Sequence, residues 1–163
     1  MTSSEAREPT RILVVCLGNI CRSPAGEAAL REAAKEVGVQ VEVDSAGMGP
    51  WHVGQPPHRQ IRAAGRRADL DIDGRGRQIR HPDELADWDL ILAMDRSNLA
   101  ELQRLAPALT GRMHLFRSFD PDADSDEMPD PYGLADSAYD ETIRRARSGA
   151  TAVVGEIAGG RLP

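Results

Sequence analysis

The segment Ile12-Leu-Val-Val-Cys16, followed at once by Leu17-Gly-Asn-Ile-Cys-Arg-Ser-Pro24, constrains this chain more than any other part of it. The apolar run reads as a strand buried on both faces, which requires packed layers above and below a sheet. Pro24 stands where a helix begins, because its missing N–H costs nothing in the first turn, and Ser23 is placed as the cap. Gly18 and Asn19 supply the backbone freedom for a tight turn between strand and helix. That loop leaves the carboxyl end of its strand, where open α/β sheets bind ligands.

The alternation continues along the chain. Ala25 to Val37 reads as a helix with a narrow face of Ala28, Ala29, Ala33 and Val37, stopped by Gly38. Val39, Val41 and Val43 alternate with polar residues as a second strand, and a Gly- and Pro-bearing loop with Trp51 and His52 runs from Ser45 to Pro57. A helix around Pro57 to Ala68 precedes a connection through Gly74 and Gly76. Leu90-Ile-Leu-Ala93 is a third strand, and Asp95 or Ser97 caps a helix running to about Leu105. His114-Leu-Phe116 is a fourth strand, and a last helix follows Ser137 through about Ala158, punctured by Gly149 and Gly155. Strands spaced by helices predict parallel pairing with helices on both faces. Residues 1–163 read as a single domain whose polar first ten residues are flexible. With only two Trp, two Tyr and two Phe, its interior must be aliphatic.

Charge excludes some functions. Twenty basic against 26 acidic side chains give a net charge of −6, which argues against a nucleic-acid partner held by many phosphate contacts. The residues before Pro9 contain no apolar stretch suited to a signal sequence or membrane span, so the expectation is a cytoplasmic protein with no membrane partner, leaderless export apart. Arg59, Arg62, Arg66, Arg67, Arg75, Arg77 and Arg80 form a dense basic set, read either as a solvated face or as a docking surface for an acidic partner. The run Asp120, Asp122, Asp124, Asp126, Glu127 and Asp130 reads as a loop, and Trp88 as a packing residue.

Two cysteines are not a disulfide scaffold, and Cys16-x4-Cys21 with His52 and His58 far along is not zinc spacing, so no metal or cofactor is expected. Cys16-x5-Arg22 suggests other chemistry. Successive loop N–H groups can point at one tetrahedral oxyanion, and Arg22 can add a bidentate fork. The same field favours a thiolate at Cys16, with Ser23 placed to hydrogen-bond the sulfur.

These features, with Asp44-Ser-Ala-Gly47, Trp51-His-Val-Gly54, Met94-Asp95 and Asp130-Pro-Tyr132 in order, resemble the low-molecular-weight protein tyrosine phosphatase family, most closely its bacterial branch. The resemblance implies an open three-layer α/β sandwich with a four-stranded parallel sheet in order 2-1-3-4 and a phosphate loop after the first strand. It implies hydrolysis of phosphotyrosine in a protein substrate through a phosphocysteine intermediate, with inorganic phosphate as product. Cys16 is then the nucleophile, Arg22 and the loop residues Leu17, Gly18, Asn19, Ile20, Cys21 and Ser23 hold the phosphate, and Asp130 is the general acid. From the residues alone, five neighbouring carboxylates compete with Asp130 for that role. The resemblance also implies that Asn19 meets Ser45, and that Trp51 and Tyr132 wall the slot with Leu17 and Ile20 at its floor and rim. Ile20 favours tyrosine over arginine phosphate. Cys21 is implied as a disulfide partner for oxidised Cys16.

The chain departs from the family at Gly133, where a second Tyr is frequent, at Gly74, where a His supports the loop, and at Met48, where a Thr is frequent. Two alternatives follow from the same loop: a thiol-dependent arsenate reductase, for which no thiol beyond Cys21 exists to carry electrons, and a non-catalytic phosphoprotein-binding module. Nucleotide binding is disfavoured, since no Gly-Lys-Ser/Thr element is present.

Overall fold

The structure, a computed structural model, describes residues 8–163. Four strands, β1 (Thr10–Cys16), β2 (Val41–Gly47), β3 (Leu90–Ala93) and β4 (Met113–Leu115), form one parallel sheet in the order β2-β1-β3-β4. Four helices connect and cover them: α1 (Arg22–Val37), α2 (Arg59–Arg67), α3 (Arg96–Leu105) and α4 (Asp136–Ala158). Short 3₁₀ turns lie at Pro82–Asp87 and Pro107–Arg112. Of the ten residues expected to be flexible, the first seven lie outside the described residues, and Thr10 is strand, paired with Val41.

Alternation along β1 divides the core in two. Ile12, Val14 and Cys16 face one layer with Leu30, Ile61, Tyr139 and Val153 from α1, α2 and α4. Leu13 and Val15 face the other, with Leu85, Trp88 and Leu102. Burying five successive β1 residues on both faces contributes roughly 1.5–3 kcal/mol for each large side chain, so this strand anchors whatever its carboxyl end carries.

Close approach on the first layer depends on two glycines. A Cβ at Gly26 of α1 would stand 2.7 Å from Met94 Cε, and one at Gly149 of α4 would stand 2.7 Å from Phe116 Cε1. Gly149, read from sequence as a weak point in the last helix, is instead where α4 admits the Phe116 ring against the sheet.

Several local expectations are corrected. Ser23 is not a helix cap: α1 starts at Arg22, Cys21 occupies the cap position without a side-chain bond, and the Ser23 hydroxyl turns to the sulfur described below. Pro24 still falls in the first turn, where no N–H is needed. Strand β2 starts at Val41 rather than Val39, and β4 covers Met113–Leu115 because its register follows Ile91–Ala93 of β3. Helix α2 is shorter than Pro57–Ala68 and is capped by His58, whose ring accepts from the Gln60 N–H at 3.2 Å. Helix α4 begins at Asp136, one residue before Ser137. Of the two caps considered for α3, Asp95 serves, accepting from the Asn98 N–H at 2.8 Å, and Gly38 ends α1 at φ +76°.

Candidate active site

The loop after β1 is held on three sides. Cys16 is in register with Gly47 of β2, and the Met48 and Gly49 N–H groups donate to the Cys16 and Leu17 carbonyls at 3.0 and 3.1 Å. From the far side the His58 N–H donates to the Ile20 carbonyl at 2.9 Å. Asn19 takes φ +59°, a left-handed conformation that costs a non-glycine residue about 1–2 kcal/mol and needs support from its surroundings.

That support is a polar chain beneath the loop. The Asn19 side-chain amide donates to Ser23 Oγ at 2.8 Å and to Ser45 Oγ at 2.9 Å, while its Oδ1 accepts from the Arg77 N–H at 2.9 Å. Ser45 Oγ in turn donates to Glu27 Oε1 at 2.5 Å. Both protons of the Asn19 amide are used, so the Ser23 hydroxyl proton is free for Cys16 Sγ, 3.0 Å away. The Asn19 backbone N–H also donates to that sulfur at 3.3 Å. Two donors therefore converge on Cys16, the arrangement that solvates a sulfur anion in a buried place. Burial raises the pKa of Glu27, an effect that Ser45 and Arg31 only partly offset.

Glu27 and Arg77 were not singled out by the sequence for this chain. Arg77 also pins its segment through its guanidinium, to Asp44 at 3.0 Å and to both oxygens of Glu84 at 3.0 and 2.6 Å. Gly74 lies nearby at φ +103°, and the polar chain closes without a side chain from it, leaving a cavity of about 50 Å³ bounded in part by Asn19, Glu27 and Ser45. We expect Ser45→Ala to leave one Asn19 donor and Glu27 Oε1 without a partner, while Arg31 keeps Oε2, lowering stability by about 1–3 kcal/mol and kcat by about 10- to 100-fold through misplacement of the loop. Urea unfolding and steady-state hydrolysis of phenyl phosphate measure the two effects.

Above the loop lies a cavity of about 360 Å³ lined by Cys16, Leu17, Gly18, Ile20, Cys21, Arg22, Trp51, His52, Asp130 and Tyr132. Nine of these are expected site residues. Asn19, Ser23 and Ser45 lie behind the loop and hold it, and do not line the cavity. His52 is the lining residue that sequence did not assign; its ring packs against Gly18, where a Cβ would stand 3.0 Å from it. Trp51 and Tyr132 are exposed at the mouth, at 62% and 58% of their surfaces, which leaves their ring faces open to stacking. Gly49 has no side chain to obstruct the Trp51 ring, which passes within 1.8 Å of where its Cβ would be.

Arg22 is 4% exposed and is aimed by the strand ends around it. It donates from Nη1 to Asp95 Oδ2 at 2.8 Å and to the Met128 carbonyl at 3.1 Å, and Nη2 lies 3.7 Å from Asp130 Oδ2. Burial pulls its pKa down, but the charge of Cys16, the Asp95 hydrogen bond and Asp130 outweigh burial and hold it above the ordinary value. Cys21 is the opposite case: burial, reinforced by Cys16 and Asp130, pushes its thiol up to about 12, so it stays protonated near neutrality.

Asp130 comes from the acidic loop, several of whose carboxylates are paired with arginines. Arg117, at the end of β4 and 4% exposed, donates to the Glu127 carbonyl at 2.6 Å and to Asp124 at 2.9 Å. Arg96 pairs with Asp126 at 2.7 Å, and its N–H donates to Glu127 at 2.8 Å. The Met128 N–H donates to the Met94 carbonyl at 2.8 Å. Asp130, next in line, is exposed, and the Tyr132 N–H caps its Oδ1 at 3.1 Å across the buried Pro131.

Comparison with known proteins agrees with this geometry. Residues 11–159 match the model of the family described as low molecular weight phosphotyrosine protein phosphatase. The chain belongs to this family. It is 38% identical over 151 residues to the low molecular weight protein-tyrosine-phosphatase YfkJ of Bacillus subtilis, covering 90% of this chain and 94% of that one. It is 34% identical over 142 residues to low molecular weight phosphotyrosine protein phosphatase 2 of Drosophila melanogaster, covering 85% and 86%. A crystal structure of a protein tyrosine phosphatase from Entamoeba histolytica superposes with a TM-score of 0.89 at 28% identity, over 94% of this chain and 99% of that one. The sheet order expected from the resemblance is the order observed, and the phosphatase carries its cysteine loop directly after β1. An arsenate reductase is not favoured by these relatives, whose names are those of phosphatases. Among the described residues no helix is long and apolar enough to cross a membrane, and no group of three or more His, Cys, Asp or Glu could hold a metal ion.

Proposed function

We propose that Cys16, Arg22 and Asp130 carry out phosphotyrosine hydrolysis in two displacements within a single phosphatase domain. In the first, Cys16 Sγ forms a bond to phosphorus as the bond to the phenolic oxygen breaks, and Asp130 gives its proton to the departing phenolate. Arg22 and the N–H groups of Leu17 through Ser23 hold the three remaining oxygens through the transition state. In the second, Asp130 takes a proton from water, whose oxygen bonds to phosphorus as the S–P bond breaks, releasing inorganic phosphate and restoring the Cys16 thiolate.

One observation carries this reading: a sulfur with two donors, a buried guanidinium and an exposed carboxylate meet at one aromatic-walled cavity. The aromatic residues at its mouth suit a phenyl phosphate, whereas a phosphoserine has no ring to set against Trp51 and Tyr132. We expect a phosphotyrosine peptide to be hydrolysed at least about 100-fold faster in kcat/KM than the matched phosphoserine peptide; equal rates would contradict the assignment of the walls. A cytoplasmic location belongs to the same proposal. So does protection of oxidised Cys16: its sulfenic acid would condense with the Cys21 thiol, forming a disulfide and water, until an external thiol reduces it.

A further inference from the structure

We propose that Arg59, Arg62 and Arg66 form a docking stripe on α2 for acidic residues flanking the phosphotyrosine of the substrate. The inference rests on the phosphatase reading above and names the class of protein substrate that it serves.

The geometry of α2 separates its residues into three stripes. Ile61, Ala64 and Gly65 are buried against the core. Gln60 and Arg67 face α4, where they engage Asp136 at 3.1 Å and Asp140 at 2.6 Å. Arg59, Arg62 and Arg66, spaced by three and four, share the remaining side, and none of the three pairs with a carboxylate among the described residues. Arg59 and Arg66 are exposed, and the half-buried Arg62 donates only to the Pro57 carbonyl, at 2.9 Å.

This stripe begins at the mouth of the cavity. His58, the cap of α2, donates its N–H to Ile20 of the cysteine loop and sets its ring edge-on to Tyr132, with centroids 5.5 Å apart. After burial, the charges of Arg59, His52 and Arg62 are what lower the pKa of His58, which places a positive field at this side of the mouth. Elsewhere the balance is reversed, since the whole chain carries a net charge of −6. On the facing rim the acidic loop is already matched, Asp126 and Glu127 by Arg96 and Asp124 by Arg117 and Arg145. A peptide seated with its phosphotyrosine between Trp51 and Tyr132 therefore meets uncompensated positive charge on the α2 side. Exposed pairs are individually weak and screened by salt, so the three together give discrimination of about 10-fold.

The test uses the full chain and four phosphotyrosine peptides of matched sequence, bearing three Glu or three Lys either before or after the phosphotyrosine, with free phosphotyrosine as reference. The expected result at low salt is a kcat/KM about 10-fold higher for Glu than for Lys on one side of the phosphotyrosine, carried by KM, and shrinking toward unity as ionic strength rises. The R59Q/R62Q/R66Q protein should lose that ratio and the R59E/R62E/R66E protein should invert it. No preference on either side in the wild type, or a preference that persists in both triple variants, would overturn the docking stripe. Hydrolysis of free phosphotyrosine separates the two levels: without it both the phosphatase reading and the stripe fail, whereas with it an absent flank preference counts against the stripe alone.

Discussion

Cys16→Ser is expected to reduce hydrolysis of a phosphotyrosine peptide by about 10⁴-fold or more while phosphate binding is retained. The two effects separate because the loop has two tasks. In the proposed mechanism the loop N–H groups and the Arg22 guanidinium, fixed by Asp95 and the Met128 carbonyl, hold the oxyanion whatever stands at position 16. Attack needs the sulfur, and a hydroxyl in its place has no base poised to take its proton: Ser23 and the Asn19 N–H both serve as donors toward it. The thiolate of the proposed mechanism would repel the phosphate, so without it calorimetric titration should show phosphate affinity equal to or above that of the wild type. A variant that kept more than about one per cent of turnover would contradict the nucleophile assignment.

Asp130→Ala is the second large effect, with an expected loss of about 10²- to 10³-fold in kcat for phenyl phosphate. The loss should depend on the leaving group. A nitrophenolate departs without a proton, whereas an unsubstituted phenolate needs one, so the variant should lose far less on p-nitrophenyl phosphate than on phenyl phosphate. A carboxylate that merely steadied Arg22, from which it lies 3.7 Å away, would lower both rates equally. Four of the other five carboxylates of the run are tied elsewhere: Asp120 accepts from Ser148, Asp124 serves Arg117, and Asp126 and Glu127 serve Arg96. Asp130 alone of these lines the cavity, which supports the proposal that it, among the carboxylates of the run, is the acid.

How much of this could be read from sequence differs from element to element. The strand from Ile12 to Cys16 was legible because five apolar residues in a row leave little but burial on both faces, and the order of the sheet followed from the family pattern. Boundaries moved by one or two residues where register with a neighbouring strand decided them, as at β4. Ser23 was given two tasks and holds one: a serine before Pro24 fits a helix cap, but its single hydroxyl goes to the Cys16 sulfur, the bond that the chemistry of the loop called for, and Cys21 takes the cap position. The supports of the site were the least visible. Asp95 reaches Arg22 across 73 positions, Arg77 reaches Asn19 across 58, and Glu27 reaches Ser45 across 18, all pairings made by the parallel sheet and without a local signature. Gly74 looked like a lost support, yet its φ of +103° is one that a side chain rarely adopts, and Asn19 is held without it.

The most direct measurement is the covalent state of Cys16 during turnover. The protein would be mixed with a phosphotyrosine peptide, quenched within a single turnover, digested and mapped by mass spectrometry, with the Cys16→Ser protein run in parallel. The mechanism predicts phosphate bonded to Cys16 and nowhere else, forming as tyrosine is released and decaying as inorganic phosphate appears, and absent from the Ser variant. Release of phosphate in step with tyrosine, with no label on Cys16 at any quench time and no burst of tyrosine, would show direct attack by water and contradict the two-displacement mechanism.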